Sequence, residues 1–149
     1  MSHPQTTAKE VAHEFFEGID ARDPSMFDDL VADDVTTGIY RAGEGDDVTG
    51  LDGMKELWDE YWNAFPDLSG ESTTYVQEGD RVAIFRREVG THEGDFRGIA
   101  PTGTSITFEY SGYLDIDNEQ IVHAFFHGDM LNLLQQLGVE SPFPAHESM

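Results

Sequence analysis

The chain has 149 residues, the length of one domain, and no cysteine, which excludes disulfides, thiol nucleophiles and thiolate metal sites. Thirty acidic residues against eight basic ones give a formal charge of −22, which argues against a nucleic-acid partner, because phosphate recognition needs clustered Lys and Arg. Hydrophobic residues make up 38% of the chain, with two Trp, five Tyr and ten Phe, so a packed core rather than disorder is expected.

Only two of the bases, Lys9 and Lys55, are lysines, and the acids run along the whole chain. Such a coat holds water in concentrated salt, where ions screen its repulsion, and points to a halophilic source. No stretch approaches the roughly 18 apolar residues of a membrane span. Residues 1–10 lack the basic start and apolar run of a secretory signal, so the expected location is the cytoplasm.

Residues 7–20 read as a helix, with Val11, Phe15, Phe16 and Ile19 at helical spacing. Asp23-Pro24 opens a second short helix with Met26, Phe27 and Leu30 facing inward. Residues 35–40 read as a short strand and residues 43–50 as a polar, glycine-containing loop. The strongest helix covers residues 51–65, where Met54, Leu57, Trp58, Tyr61, Trp62 and Phe65 make a wide apolar stripe and Pro66 stops it. Four strands with period two follow, at residues 72–77, 81–92, 105–116 and 120–127. A short helix over residues 130–137 ends at Gly138. Strands gathered after helices predict an α+β fold with an antiparallel sheet.

Five stretches then carry a resemblance. They are Ala64-Phe65-Pro66-Asp67-Leu68, Glu78-Gly79-Asp80-Arg81-Val82-Ala83, Gly90-Thr91-His92-Glu93-Gly94-Asp95-Phe96, Gly98-Ile99-Ala100-Pro101-Thr102-Gly103 and Leu133-Leu134-Gln135-Gln136-Leu137-Gly138. In this order and spacing the chain resembles the SnoaL-like polyketide cyclases of the nuclear transport factor 2-like superfamily. The resemblance implies one SnoaL-like domain over residues 1–149: a cone-shaped α+β barrel whose curved antiparallel sheet wraps N-terminal helices. It also implies a homodimer pairing through the sheet and a pocket for a small apolar ligand. Characterised relatives close a polyketide ring with an acid/base Asp on the last strand, in a His-x-Asp arrangement. The superfamily also holds isomerases, epoxide hydrolases, dehydratases and pure binding proteins, so fold alone does not settle function.

Aligned back from residues 133–138, the family's last strand falls on residues 121–129 of this chain. The expected His then falls on Ala124 and the catalytic Asp on Phe126. The cyclases' second His falls on Gly112 and an Asn-like position on Thr37. Only the acid that opens the terminal helix is kept, as Asp129. A phenyl ring accepts no proton, so the family mechanism has no base at these positions.

Other groups are candidates for the missing chemistry. Asp129 reads either as the N-cap of the last helix or as a displaced base. His92 reads either as an acid/base or as the residue that fastens the loop before Gly94. Strand alternation sends Arg86 and Glu88 to one face and Arg87 to the other; if inward, Arg86 pairs with Glu88 or holds an anionic ligand, and if outward it is a solvated or interfacial residue, while Glu88 joins Asp129 and His92 as a candidate base. Trp58, Tyr61, Trp62 and Phe65, with Phe108, Tyr110 and Phe126, read as core or as pocket wall, and Tyr40 and Tyr110 offer hydroxyls to a ligand. His123 and His127 fall opposite Phe126, and four residues apart on a strand they are about 13 Å from each other, too far to share an ion. No metal site and no cofactor is expected.

Two functions remain in competition: an acid/base enzyme of the cyclase, isomerase or lyase type with a relocated catalytic group, and an accessory domain that binds a hydrophobic metabolite without turnover. The charge carries a prediction of its own. The thermal midpoint is expected to rise by many degrees between low salt and about 2 M salt, followed by circular dichroism; an unchanged midpoint contradicts the halophilic reading.

Overall fold

Thr7 starts the first helix, its Oγ1 accepting the Glu10 amide at 3.1 Å. This is the first residue described by the computed structural model, which covers residues 7–40 and 47–140, without the side chains of residues 39, 40 and 47–49. Helix α1 (Ala8–Ala21) buries Val11, Ala12, Phe15, Phe16 and Ile19, the predicted stripe. It ends as Arg22 turns left-handed (φ 53°). The Arg22 and Asp23 amides then donate back to the Ile19 and Gly18 carbonyls at 3.1 and 3.0 Å. Helix α2 (Ser25–Leu30) buries Met26 and Phe27. The two helices meet at Gly18, where a Cβ would lie 2.3 Å from Met26 Cγ.

Strand β1 (Val31–Tyr40) begins four residues before the predicted one, and the irregularity in its pairing between Val31 and Thr36 accounts for the lost alternation. The predicted loop at residues 43–50 is partly corrected: Asp47–Thr49 forms β2, pairing antiparallel with Thr36, Thr37 and Gly38. Three residues are too few to show a period. The rest of that segment before residue 47 lies outside the described residues. Helix α3 (Gly50–Ala64) buries Met54, Leu57, Trp58, Tyr61 and Ala64.

Strands β3 (Ser69–Glu78), β4 (Arg81–Thr91), β5 (Ser105–Asp117) and β6 (Gln120–Gly128) form consecutive antiparallel pairs. Helix α4 (Met130–Gln136) closes the chain against β5. The sheet order is β2-β1-β6-β5-β4-β3. One pairing departs from the antiparallel expectation: β1 lies parallel to β6, with Thr37 beside Ala124 and Ile39 beside Phe126. The sheet curves without closing, and α1, packed across β3 to β6, fills its concave side. Both sheet edges, β2 and β3, therefore stay unpaired within the described residues.

Alternation decides which side chains enter the cone. On β4, Val82, Ile84, Arg86, Glu88 and Gly90 are buried while Arg81, Phe85 and Arg87 are exposed. The β5–β6 turn is a two-residue hairpin with both Asn118 (φ 52°) and Glu119 (φ 62°) left-handed, the geometry that matches strand twist. Gly112 faces Phe126 across the same pair, and a Cβ there would lie 1.9 Å from the Phe125 carbonyl oxygen. No side chain fits between these strands at this position. Gly112→Ala is expected to cost on the order of 3 kcal/mol, read from chemical denaturation midpoints, because the obstacle is main chain and cannot swing aside.

Candidate functional site

The inward alternation of β4 brings two opposite charges into the interior. Arg86 and Glu88 are 3% and 2% exposed. Arg86 Nε donates to Glu88 Oε2 at 2.8 Å, and the Tyr110 hydroxyl donates to the same oxygen at 2.9 Å. The rest of the guanidinium is also satisfied: Nη1 donates to Thr73 Oγ1 at 2.8 Å and Nη2 donates to Asp20 Oδ1. The Phe16 ring lies 4.7 Å below it. Space for this fork is made by Gly70, whose Cβ would meet Nη2 at 2.7 Å. The Gly70 amide donates to Asp20 Oδ1 at 2.9 Å, so one carboxylate at the end of α1 holds both strands.

Burial pushes the Glu88 carboxyl above its ordinary value, against the pull of the Arg86 charge and the two hydrogen bonds. Burial also pushes the Tyr110 hydroxyl well up, and the neighbouring Glu88 charge adds to this, so the phenol stays protonated as a donor. For Arg86, burial opposes the charge but Tyr110, Glu88 and Asp20 outweigh it, and the guanidinium is held charged.

Glu88 forms the polar part of the wall of a cavity of about 40 Å³. The remainder of the wall is mostly apolar. Trp58 and Tyr61 come from α3, Phe108 and Tyr110 from β5, Phe126 and Gly128 from β6, and Leu57 and Met130 complete it. The rings lock one another: Tyr61 stacks on Phe108 at 6.0 Å, and Phe126 stands edge-on to Trp58 at 6.1 Å and to Tyr110 at 5.9 Å. Phe126 therefore points inward, beside Tyr110 and the carboxyl that Tyr110 holds.

The other sequence candidates are placed elsewhere. Arg86 stands behind Glu88 and does not reach the wall. His92 is fully buried at the start of the β4–β5 loop, its Nδ1 accepting the Thr102 amide at 3.1 Å and its ring against Phe65 at 5.5 Å. Asp129 Oδ1 accepts the Asn132 amide at 3.1 Å and caps α4. Thr37 is buried beside Ala124 and Trp62 packs on Phe27 at 6.3 Å; neither lines the cavity. The Tyr40 side chain lies outside the described residues. His123 sits on the outer face with Nδ1 2.6 Å from Thr36 Oγ1. Among the described residues, no three His, Asp or Glu gather as a metal site. Sequence reasoning missed Asp20, Thr73 and Gly128. Asp20 gave no signal because, at the end of a helix and on its polar face, it looks like any solvated acid.

The described residues thus form an open α+β cone with an aromatic cavity and one ion-paired carboxyl in its wall. The model of the SnoaL-like polyketide cyclase family matches residues 9–137, and the chain belongs to that family. Among solved structures, IdmH of Streptomyces antibioticus, provisionally assigned as a polyketide cyclase, is 24% identical with a TM-score of 0.79, over 90% of this chain and 100% of that one. AclR of Streptomyces galilaeus, provisionally assigned as a hydroxylase, is 26% identical with a TM-score of 0.79, over 92% and 88%. A SnoaL-like protein of Jannaschia sp. CCS1 reaches a TM-score of 0.81 at 16% identity, over 94% and 100%. No curated protein matches the sequence significantly.

Removing one partner of a buried pair leaves the other charge uncompensated. Arg86→Met is expected to destabilise the fold by about 3–5 kcal/mol at neutral pH. The loss should shrink as pH falls: without the guanidinium Glu88 titrates higher still, and once protonated it no longer carries a buried charge. Urea denaturation of the variant at several pH values checks both the size and the sign.

Proposed function

We propose that the chain is a SnoaL-like acid/base enzyme acting on a small, largely apolar carbonyl compound, with Glu88 as the group that takes and returns the proton. The observation that supports it is the Glu88 carboxyl in the wall of the aromatic cavity, beside the inward Phe126. By resemblance, the family keeps its acid/base Asp at the Phe126 position. A carboxyl delivered from β4, two strands along the sheet from β6, offers the same chemistry to the same space.

In this reading Glu88 in its ionised form removes a hydrogen from the carbon next to the guest's carbonyl. The proton moves onto the carboxylate, the C–H electron pair becomes the enolate double bond, and negative charge collects on the carbonyl oxygen. Return of a proton to carbon regenerates the carboxylate; alternatively the enolate carbon attacks a second carbonyl of the same guest, the C=O pair goes to oxygen, and the resulting alkoxide takes the proton from Glu88, giving ring closure and the free carboxylate. Arg86 and Tyr110 position the carboxyl and keep it ionisable, while the apolar walls exclude water from the enolate. Proton transfer of this kind needs no cofactor. The direction of the Glu88 shift suits a base: burial brings its proton affinity closer to neutrality than that of a free glutamate.

The test is hydrogen–deuterium exchange at the α-carbons of cyclohexanone in deuterated water, followed by proton NMR. Wild-type protein is expected to accelerate exchange, and Glu88→Gln to lower the rate about 100-fold or more with its thermal midpoint recorded alongside. The rate should rise with pH through a limb lying above the ordinary glutamate range, since the ionised carboxylate is the active form and burial raises its pKa. Exchange that survives in Glu88→Gln removes Glu88 from the role. Binding without exchange in the wild type favours the accessory, non-catalytic reading instead.

A further inference from the structure

The Arg86 guanidinium serves two carboxylates. Its Nε donates to Glu88 Oε2 at 2.8 Å and its Nη2 donates to Asp20 Oδ1 at the end of α1. The Glu88 side chain is 2% exposed, whereas 38% of the Asp20 side chain meets solvent. One positive charge is thus divided between a sealed acid and an acid at the surface, and the two like charges on either side of it disfavour each other. The other titratable groups around the pair are mostly phenols. Tyr110 on β5 donates to Glu88, Tyr61 on α3 shares the cavity wall, and Tyr75 on β3 feels the Arg86 charge while burial pushes its hydroxyl up. Glu17, also on α1, is exposed and pairs with His13. From β6 and α4 only Phe126, Gly128 and Met130 reach the wall.

Resting on the reading of Glu88 as the base, we propose that Asp20 is a positioning residue for the reaction: acting from the surface through Arg86, it draws guanidinium charge away from Glu88 and so sets the strength of the base. With Glu88 as its sole acid, Arg86 would hold a fully neutralised, weakly basic carboxylate. Burial is the main push upward on the Glu88 carboxyl, Arg86 pulls it down, and Asp20 adds to the push. The placing of Asp20 fits such a role. A carboxylate in the last turn of a helix faces the negative end of the dipole, so Asp20 is held there by Arg86 and the Gly70 amide rather than by its own helix. Charge and geometry are separable at this point. Asp20→Asn keeps an oxygen for the Gly70 amide and for Arg86 Nη2 and loses only the charge. Thr73→Val takes a neutral partner from the same guanidinium.

The experiment uses the full chain with carbon-13 in its glutamate side-chain carboxyls, whose NMR shifts report each titration; the Glu88 resonance is assigned with Glu88→Gln. Asp20→Asn is expected to move the Glu88 midpoint to lower pH, because Arg86 then serves one carboxylate. Asp20→Ser, a second neutral variant, is expected to move it the same way, and Asp20→Glu to return it toward the wild-type position. Thr73→Val is expected to leave it in place. The pH limb of cyclohexanone exchange should move with the NMR midpoint, and the plateau rate of Asp20→Asn should fall severalfold, since a weaker base removes the proton more slowly. An unmoved midpoint in the neutral variants, or an equal shift in Thr73→Val, overturns the proposal. The two readings fail separately. A midpoint that moves in a protein that exchanges no ketone sinks Glu88 as base, whereas exchange lost in Glu88→Gln with a midpoint unmoved by Asp20→Asn sinks the role of Asp20 alone.

Discussion

A carboxylate can stand inside this cone because a guanidinium stands next to it. The Arg86–Glu88 pair sits on one strand face, two residues apart, with both side chains almost fully buried. Burying either charge alone would cost several kcal/mol, so each is tolerable only through the other. The pair is itself held from outside. Asp20 at the end of α1 and Thr73 on β3 complete the guanidinium, and Gly70 gives it room. The orientation of the cavity's acidic group is therefore fixed by a helix, two neighbouring strands and one missing side chain.

Phe126 and Ala124 are buried on β6, and Gly112 faces Phe126 from β5. Gly112 is dictated by the approach of the Phe125 carbonyl, and Phe126 closes an aromatic cluster with Trp58 and Tyr110. The buried carboxyl in the cavity wall stands on β4, with β5 between it and Phe126 on β6. The structural relatives are assigned both as cyclases and as a hydroxylase, in keeping with a cone that takes different chemistries.

Much of this was legible in the residues themselves. The two long helices and strands β4, β5 and β6 follow from periodicity, because each buries a regular face. Alternation alone put Arg86 with Glu88 and Phe126 opposite His123. What the sequence left open was direction: nothing in Arg86-Arg87-Glu88 says which side of β4 meets the helices, and burial of a charged pair runs against the usual hydrophobic pattern. The parallel β1–β6 contact was hidden because it joins segments far apart in the chain. Asp20 was hidden because its partner, Arg86, is 66 residues away.

Gly128 sets the dimensions of the interior. A methyl group at that point would lie 2.6 Å from Phe108 Cζ, and the Phe108 ring has nowhere easy to go, being stacked on Tyr61. The width of the cavity is thus set at the main chain of β6, through the lack of a substituent. The smallest possible enlargement of the protein, one carbon, shrinks the room available to everything else.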